Sequence, residues 1–72
     1  MKIKNKIKIT VNGKQMSVIS NYSLKNLIYK LNLPLNKIAI EMNKKIVDKT
    51  KLSKIILKKG DRIELVHFIG GG

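Results

Sequence analysis

The chain has 72 residues, of which sixteen are lysine or arginine and four are aspartate or glutamate, giving a net charge of +12 at pH 7. A chain of this length builds at most one small hydrophobic core, which disfavours a deep substrate cleft and places function on a surface or at an end. The absence of cysteine excludes disulfides, thiolate metal sites and thiol nucleophiles.

Few side chains in this sequence suit metal binding or acid–base chemistry. One histidine, His67, cannot build a multi-histidine site, and the four acids are scattered along the chain. We therefore predict no metal site and no catalytic side chain. The apolar runs are too short to cross a bilayer and the N-terminal residues lack the apolar stretch of a secretion signal, which predicts a soluble, cytoplasmic protein.

The excess of positive charge raises the question of nucleic-acid binding, because basic surfaces attract phosphates regardless of sequence. Lysine supplies fifteen of the sixteen basic residues, and the lysines are spread along every segment. Only Tyr22, Tyr29 and Phe68 are available to stack on bases. The pattern favours a solvated surface, with nucleic-acid binding or an acidic protein partner as the alternatives.

The first segment predicts a β-hairpin. Residues 2–11 alternate between lysine or threonine on one side and a mainly apolar side that includes Ile3, Ile7 and Ile9, which is typical of a half-buried strand. Asn12-Gly13 favours a type I′ turn, and residues 14–19 supply the returning strand, with Met16 and Val18 facing inward.

A short helix is predicted next. Ser23 stands at the N-cap position, Tyr22 and Leu27 can form a hydrophobic staple, and Pro34 ends the helix near Asn32. The apolar residues recur at the spacing of one helix face and predict a core-facing stripe: Leu24, Leu27, Ile28 and Leu31.

The second half predicts three further strands. Residues 38–42 alternate with period 2, a polar turn at 43–45 follows, and a short strand covers 46–47. Residues 48–57 are irregular, with one helical turn carrying Leu52, Ile55 and Ile56 inward, and a tight turn at 59–61 leads to the last strand. The order predicts an α+β domain over residues 1–68, in which a mixed sheet of four to five strands packs on one main helix.

The last strand, predicted over residues 62–68, should present two different faces. Ile63, Leu65 and His67 should point inward, while Glu64, Val66 and Phe68 should point outward. Exposed apolar side chains beside the chain end are typical of a protein interface. We therefore predict that Val66, Phe68 and the following Ile69 bind a protein partner.

The sequence ends in Ile69-Gly70-Gly71-Gly72. Glycine loses the most conformational freedom on ordering, so folding gives no reason for a triple glycine here, and residues 69–72 are predicted to form a flexible tail. The tail reaches about 13 to 14 Å when extended and can thread a channel too narrow for other side chains. A frayed terminus or a cloning scar would be the trivial alternative.

The carboxylate of Gly72 is the only group at this end that can carry chemistry. A carboxylate is a poor electrophile, but a mixed anhydride with AMP gives it a good leaving group, which a sulfur nucleophile can displace to leave a thiocarboxylate. Because the chain has no cysteine, a sulfur carried by it cannot be attached to a side-chain thiol.

Residues 60–72 closely resemble the C-terminus of the thiamine-biosynthesis sulfur carrier (ThiS) family, through the run Gly-Asp-Arg-Ile-Glu-Leu-Val-His-Phe-Ile-Gly-Gly-Gly. Residues 41–47 resemble the family's asparagine-centred turn between its third and fourth strands. The hairpin at 11–14 and the helix around Leu27-Ile28 match in order and spacing. The loop at 48–51 lacks the aromatic or proline often found in the family.

The resemblance implies a ubiquitin-like β-grasp fold. It implies that Gly72, presented by Gly70 and Gly71, is adenylated by an E1-like ThiF-type enzyme that uses ATP and magnesium, while the carrier itself binds no cofactor and is not an enzyme. It also implies that a cysteine-derived persulfide loads Gly72 as a thiocarboxylate, which donates sulfur to a ThiG-type thiazole synthase.

Three alternatives remain at this point. A carrier for molybdopterin or tRNA thiolation would share the fold and the terminal diglycine. Protein-to-protein conjugation in the manner of ubiquitin would use the same carboxylate. A small basic nucleic-acid-binding domain belongs to a different class, and its affinity should survive removal of the tail.

Overall fold

A computed structural model of the protein describes residues 5–68. Five strands form, namely β1 (Lys6–Val11), β2 (Lys14–Ile19), β3 (Ile38–Met42), β4 (Lys45–Ile46) and β5 (Arg62–His67). The α-helix, α1, spans Leu24–Lys30, and two 3₁₀ helices span Leu35–Lys37 and Lys49–Lys54. Within the described residues, no helix has the length and apolar content needed to cross a membrane.

The strands form one mixed sheet in the order β2-β1-β5-β3-β4. β1 pairs with β5 in parallel, and the other three pairings are antiparallel. The predicted α+β arrangement, with a mixed sheet and one main helix, is confirmed. β5 comes last in the sequence but lies in the middle of the sheet.

One hydrophobic core lies between the inner face of the sheet and α1. It draws on β1, β2, β3, β5, α1, the second 3₁₀ helix and the segment after it. Its buried apolar members are Ile9, Val18, Leu24, Leu27, Ile28, Ile38, Ile40, Leu52, Leu57 and Ile63. The alternating patterns of β1, β2, β3 and β5 and the stripe of α1 therefore predicted the core side of each element.

Two tight turns rest on backbone with positive φ. Asn12 and Gly13 have φ of 49° and 83°, which confirms the predicted hairpin turn between β1 and β2. Asn43 and Lys44, between β3 and β4, have φ of 52° and 70°. That second turn uses only two residues, so Lys45 already pairs with Met42 and β4 begins one residue earlier than predicted.

The N-cap of α1 follows the sequence prediction. The Ser23 Oγ accepts a hydrogen bond from the Asn26 N–H at 3.0 Å, as an N-cap should. The Tyr22 hydroxyl donates to the Asn26 carbonyl at 3.3 Å, and its ring packs against the core. The helix ends one residue before its C-cap, Leu31, and Asn32 turns the chain with φ of 55°.

Two inward predictions are wrong. Ile56 is 43% exposed because the chain is extended after the second 3₁₀ helix, so alternation turns Ile55 and Leu57 inward and Ile56 outward. His67 is exposed, although it shares the face of Ile63 and Leu65. On one edge of β5 the neighbouring strand is β1, which ends at Val11, opposite Ile63. No strand therefore lies beside His67 at that edge.

The ends of two elements also differ from prediction. Part of the predicted first strand, residues 2–4, lies outside the described residues, and β1 begins at Lys6. Val47 lies beyond β4, although its N–H donates to the Ile40 carbonyl at 2.9 Å. The first 3₁₀ helix was not predicted, since its three residues Leu35–Lys37 are too few for a periodic pattern.

Candidate functional site

The candidate site is the end of β5, from which the glycine segment continues. The Phe68 N–H donates to the Lys37 carbonyl at 2.8 Å, so the pairing between β5 and the β3 side extends one residue past the strand. The predicted site residues Ile69, Gly70, Gly71 and Gly72 lie outside the described residues. The described part of the site is therefore the end of β5 together with Phe68, which we call the platform.

An apolar patch lies on the outer face of this platform. Val66 is 56% exposed and Phe68 is 54% exposed, and Val66 pairs with Ala39 of β3 in the sheet. Both side chains are exposed, as predicted. Their role in binding a partner stays a prediction.

The charges around this patch are arranged unevenly. On the side away from the tail, Glu41 and Glu64 are register partners and point to the same face as Val66. Like charges opposite each other repel, so these carboxylates favour an incoming cation. On the tail side, the Lys49 ammonium lies 5.7 Å from the centre of the Phe68 ring. The patch is therefore flanked by acids at one end and by a lysine at the other.

Two asparagine side chains hold β5 from the hairpin turns. The Asn12 Oδ1 accepts from the Leu65 N–H at 2.7 Å and its Nδ2 donates to the Leu65 carbonyl at 3.4 Å. The Asn43 Oδ1 accepts from the Arg62 N–H at 2.9 Å, and its Nδ2 donates to Asp61 Oδ1 at 3.1 Å. Asn12 thus replaces the strand partner that β5 loses where β1 ends.

The Asn12 contact gives a stability prediction. Asn12→Gly keeps the positive φ accessible but removes both bonds to Leu65, so we expect a loss of about 1 to 2 kcal/mol in the free energy of unfolding. Thermal unfolding and the hydrogen exchange of the Leu65 amide measure the effect. Asn21→Gly is the matched control, because Asn21 also has positive φ, at 66°, and its side chain makes no hydrogen bond within residues 5–68. Equal losses in the two variants would contradict the role given to Asn12.

The second 3₁₀ helix positions Lys49 beside the patch. At its N-cap, Asp48 Oδ1 accepts from the Thr50 N–H at 2.9 Å and from the Thr50 hydroxyl at 2.7 Å. The bond from the Thr50 hydroxyl, then the bond from the Thr50 N–H, holds the pKa of the Asp48 carboxyl below its ordinary value of 3.8; desolvation opposes this shift and the charge of Lys51 adds to it. The contribution of this cap is therefore present at neutral pH and is lost only as the pH falls below that value.

Sequence reasoning missed the parts played by Asn12, Asn43 and Lys49. An Asn in each turn was visible in the sequence, but its partners on β5 lie far away along the chain, with 53 positions separating Asn12 from Leu65. Lys49 was one of many lysines with nothing local to distinguish it. Within the described residues, no three acidic or histidine side chains cluster in a way that could hold a metal ion.

This chain is similar in sequence and in structure to known proteins. A sequence model of the ThiS family matches residues 9–72. The sulfur carrier protein ThiS of Bacillus subtilis is 33% identical over 60 residues, covering 83% of this chain and 77% of that protein. The crystal structure of a thiamine biosynthesis protein (ThiS) from Geobacter metallireducens superposes with a TM-score of 0.79 at 26% identity, covering 92% of this chain and all of that one.

A longer type of relative also matches. A thiazole synthase of Magnetococcus marinus is 36% identical over 66 residues, which is 92% of this chain but 20% of that protein. This chain thus spans about a fifth of the length of the thiazole synthases that it matches. The predicted ubiquitin-like β-grasp fold is confirmed by the superposition. From the family match and the curated relative, this chain belongs to the ThiS family.

Proposed function

We propose that this protein carries sulfur on the carboxylate of Gly72 and acts as a protein co-substrate, with the catalytic side chains, ATP and magnesium all belonging to its partners. The observation that carries the proposal is the match to the ThiS family, which extends through Gly72. The exposed Val66 and Phe68 at the base of this segment support it, because an apolar patch there suits docking.

The first step is activation by an E1-like ThiF-type enzyme. A Gly72 carboxylate oxygen attacks the α-phosphorus of ATP, the bond to the β-phosphate oxygen breaks, and pyrophosphate leaves. The product is an acyl adenylate at Gly72. Residues 70–72 have no side chain beyond a hydrogen, so they can enter a narrow channel that leads to the nucleotide.

Sulfur then replaces AMP. The terminal sulfur of a cysteine-derived persulfide attacks the Gly72 carbonyl carbon and AMP leaves, giving an acyl disulfide. A thiol cleaves the S–S bond by exchange and becomes part of a new disulfide, which leaves the thiocarboxylate on Gly72. The lack of cysteine in this chain requires that every thiol in these steps comes from a partner.

The sulfur acceptor in this proposal is a thiazole synthase. Proteins of that name from Magnetococcus marinus and Paramagnetospirillum magneticum contain a segment similar to this chain within one longer polypeptide. In each of those proteins, a segment similar to this chain is therefore part of a polypeptide named a thiazole synthase. This supports the synthase over a molybdopterin or tRNA-thiolation enzyme as the acceptor.

Intact-mass analysis tests the proposal. The protein is incubated with a ThiF-type enzyme, ATP, magnesium, a persulfide donor and a thiol. We expect a species heavier by one adenylyl group and then one in which sulfur has replaced an oxygen. Neither species forming, while the same enzyme loads the Bacillus subtilis carrier, would contradict the proposal. Sulfur transfer to a molybdopterin synthase subunit but not to a thiazole synthase would overturn the choice of acceptor.

A further inference from the structure

Among the lysines of residues 5–68, Lys49 stands out because its ammonium group makes both a hydrogen bond and a cation–π contact, next to the residue that precedes the tail. It donates to the Leu35 carbonyl at 3.0 Å and lies 5.7 Å from the centre of the Phe68 ring, within the range of a cation–π contact. Phe68 is itself fixed through its N–H to the Lys37 carbonyl at 2.8 Å. Both 3₁₀ helices and the end of β5 thus meet at one point.

The ammonium retains the capacity for another contact. It has three N–H donors, of which one is used by the Leu35 carbonyl, while the ring attracts the charge through its face without accepting a full hydrogen bond. The Lys49 side chain is partly buried rather than extended into solvent. A free lysine loses up to about 2 kcal/mol of side-chain entropy when it is immobilised, and much of that loss has already occurred here.

This arrangement matters because of its distance from Gly72. Four residues separate Phe68 from the end of Gly72, a reach of about 13 to 14 Å when extended. An enzyme that acts on the Gly72 carboxylate must therefore lie against, or very near, Phe68 and Lys49.

We propose that Lys49 and the Phe68 ring form one recognition element for the activating enzyme, which receives the ring in an apolar pocket and pairs the ammonium with a carboxylate at the pocket's rim. This inference rests on the proposed function of Gly72. The net charge of +12 agrees with an acidic partner surface. Covering Phe68 removes water around the ammonium, which strengthens both its contact with the ring and its ion pair.

The test uses two lysines of the same 3₁₀ helix. Lys49→Met removes the charge and both contacts but keeps a long apolar stem, whereas Lys54→Met removes one charge from an exposed position. The initial rate of pyrophosphate release is measured against carrier concentration. For Lys49→Met we expect the KM for the carrier to rise about tenfold with kcat little changed, since the partner loses a charge-assisted contact at docking. Lys54→Met should stay within about twofold of the unmodified protein.

Two further measurements separate docking from folding. Lys49→Arg keeps the cation over the ring and should restore most of the affinity. Raising the salt concentration should weaken binding of the unmodified protein more than binding of Lys49→Met. Thermal unfolding of each variant checks that it remains folded.

Binding of the activating enzyme to each carrier is also titrated without ATP, so the result does not depend on turnover. Equal affinities of Lys49→Met and Lys54→Met, or no rescue by Lys49→Arg, would overturn the inference even if Gly72 is loaded normally. Failure of the unmodified protein to become adenylated while the affinity difference persists would instead count against the proposed chemistry at Gly72 and leave the recognition element standing.

Discussion

A protein that lacks Gly71 and Gly72 is expected to accept neither AMP nor sulfur. Removing two residues shortens the tail by about 7 Å, so the new terminal carboxylate on Gly70 would fall short of the α-phosphate that Gly72 attacks in the proposed reaction. A misplacement of about 1 Å can already cost about a hundredfold in rate, and we expect a loss greater than that. Pyrophosphate release and intact mass measure the loss.

The truncated protein also provides its own control. Residues 5–68 hold the whole described core, so its thermal unfolding should match that of the full chain. Binding to single-stranded RNA should be compared in both forms at two salt concentrations. Loading that survives truncation would contradict the role of Gly72. Tight RNA binding that depends on salt and survives truncation would favour the nucleic-acid alternative.

Leu27→Ala is expected to cause a large loss in the free energy of unfolding. Leu27 is 0% exposed and lies on the core-facing stripe of α1, so the substitution leaves a cavity that the surrounding side chains fill only in part. Such replacements cost about 2 to 5 kcal/mol. A domain of this size has only about 4 to 11 kcal/mol in total, so the variant should melt at least about 10 °C lower or fail to fold at 37 °C.

Leu35→Ala is the matched control for that prediction. Leu35 is 39% exposed, and the contact that it makes with Lys49 uses its backbone carbonyl, which the substitution keeps. We expect a loss below about 1 kcal/mol by denaturant unfolding. A comparable loss at both positions would mean that Leu27 is not the central core residue that its burial indicates.

The fold was largely predictable because its elements carry local signals. Ile9 and Val18 follow a period of two, Leu24 and Leu27 follow the helical period, and Asn12-Gly13 sets its own turn. Each of these patterns acts between neighbours in sequence. The errors arose where geometry depends on distant partners, as at His67, whose exposure follows from where β1 stops.

The candidate site was predictable in part for the same reason. The exposure of Val66 follows from alternation within β5, and Phe68, one residue past the strand, continues that alternation and is exposed too. The contact between Lys49 and Phe68 joins residues that are far apart in sequence, and no local pattern singles out one lysine among fifteen. Predicting it requires knowing how the second 3₁₀ helix packs beside the end of β5.

The position of β5 has a consequence for the order in which this protein matures. β5 is the latest strand in the sequence and joins the β1–β2 hairpin to the β3–β4 hairpin, with Asn12 bonded to Leu65 across 53 positions. Such non-local pairing forms late and slowly during folding. During synthesis on a ribosome, the two hairpins cannot be joined until β5, the strand that precedes the glycines, has been made. An incomplete chain therefore lacks the assembled end of β5, and an activating enzyme that docks there, as we propose, would engage only carriers that have finished folding.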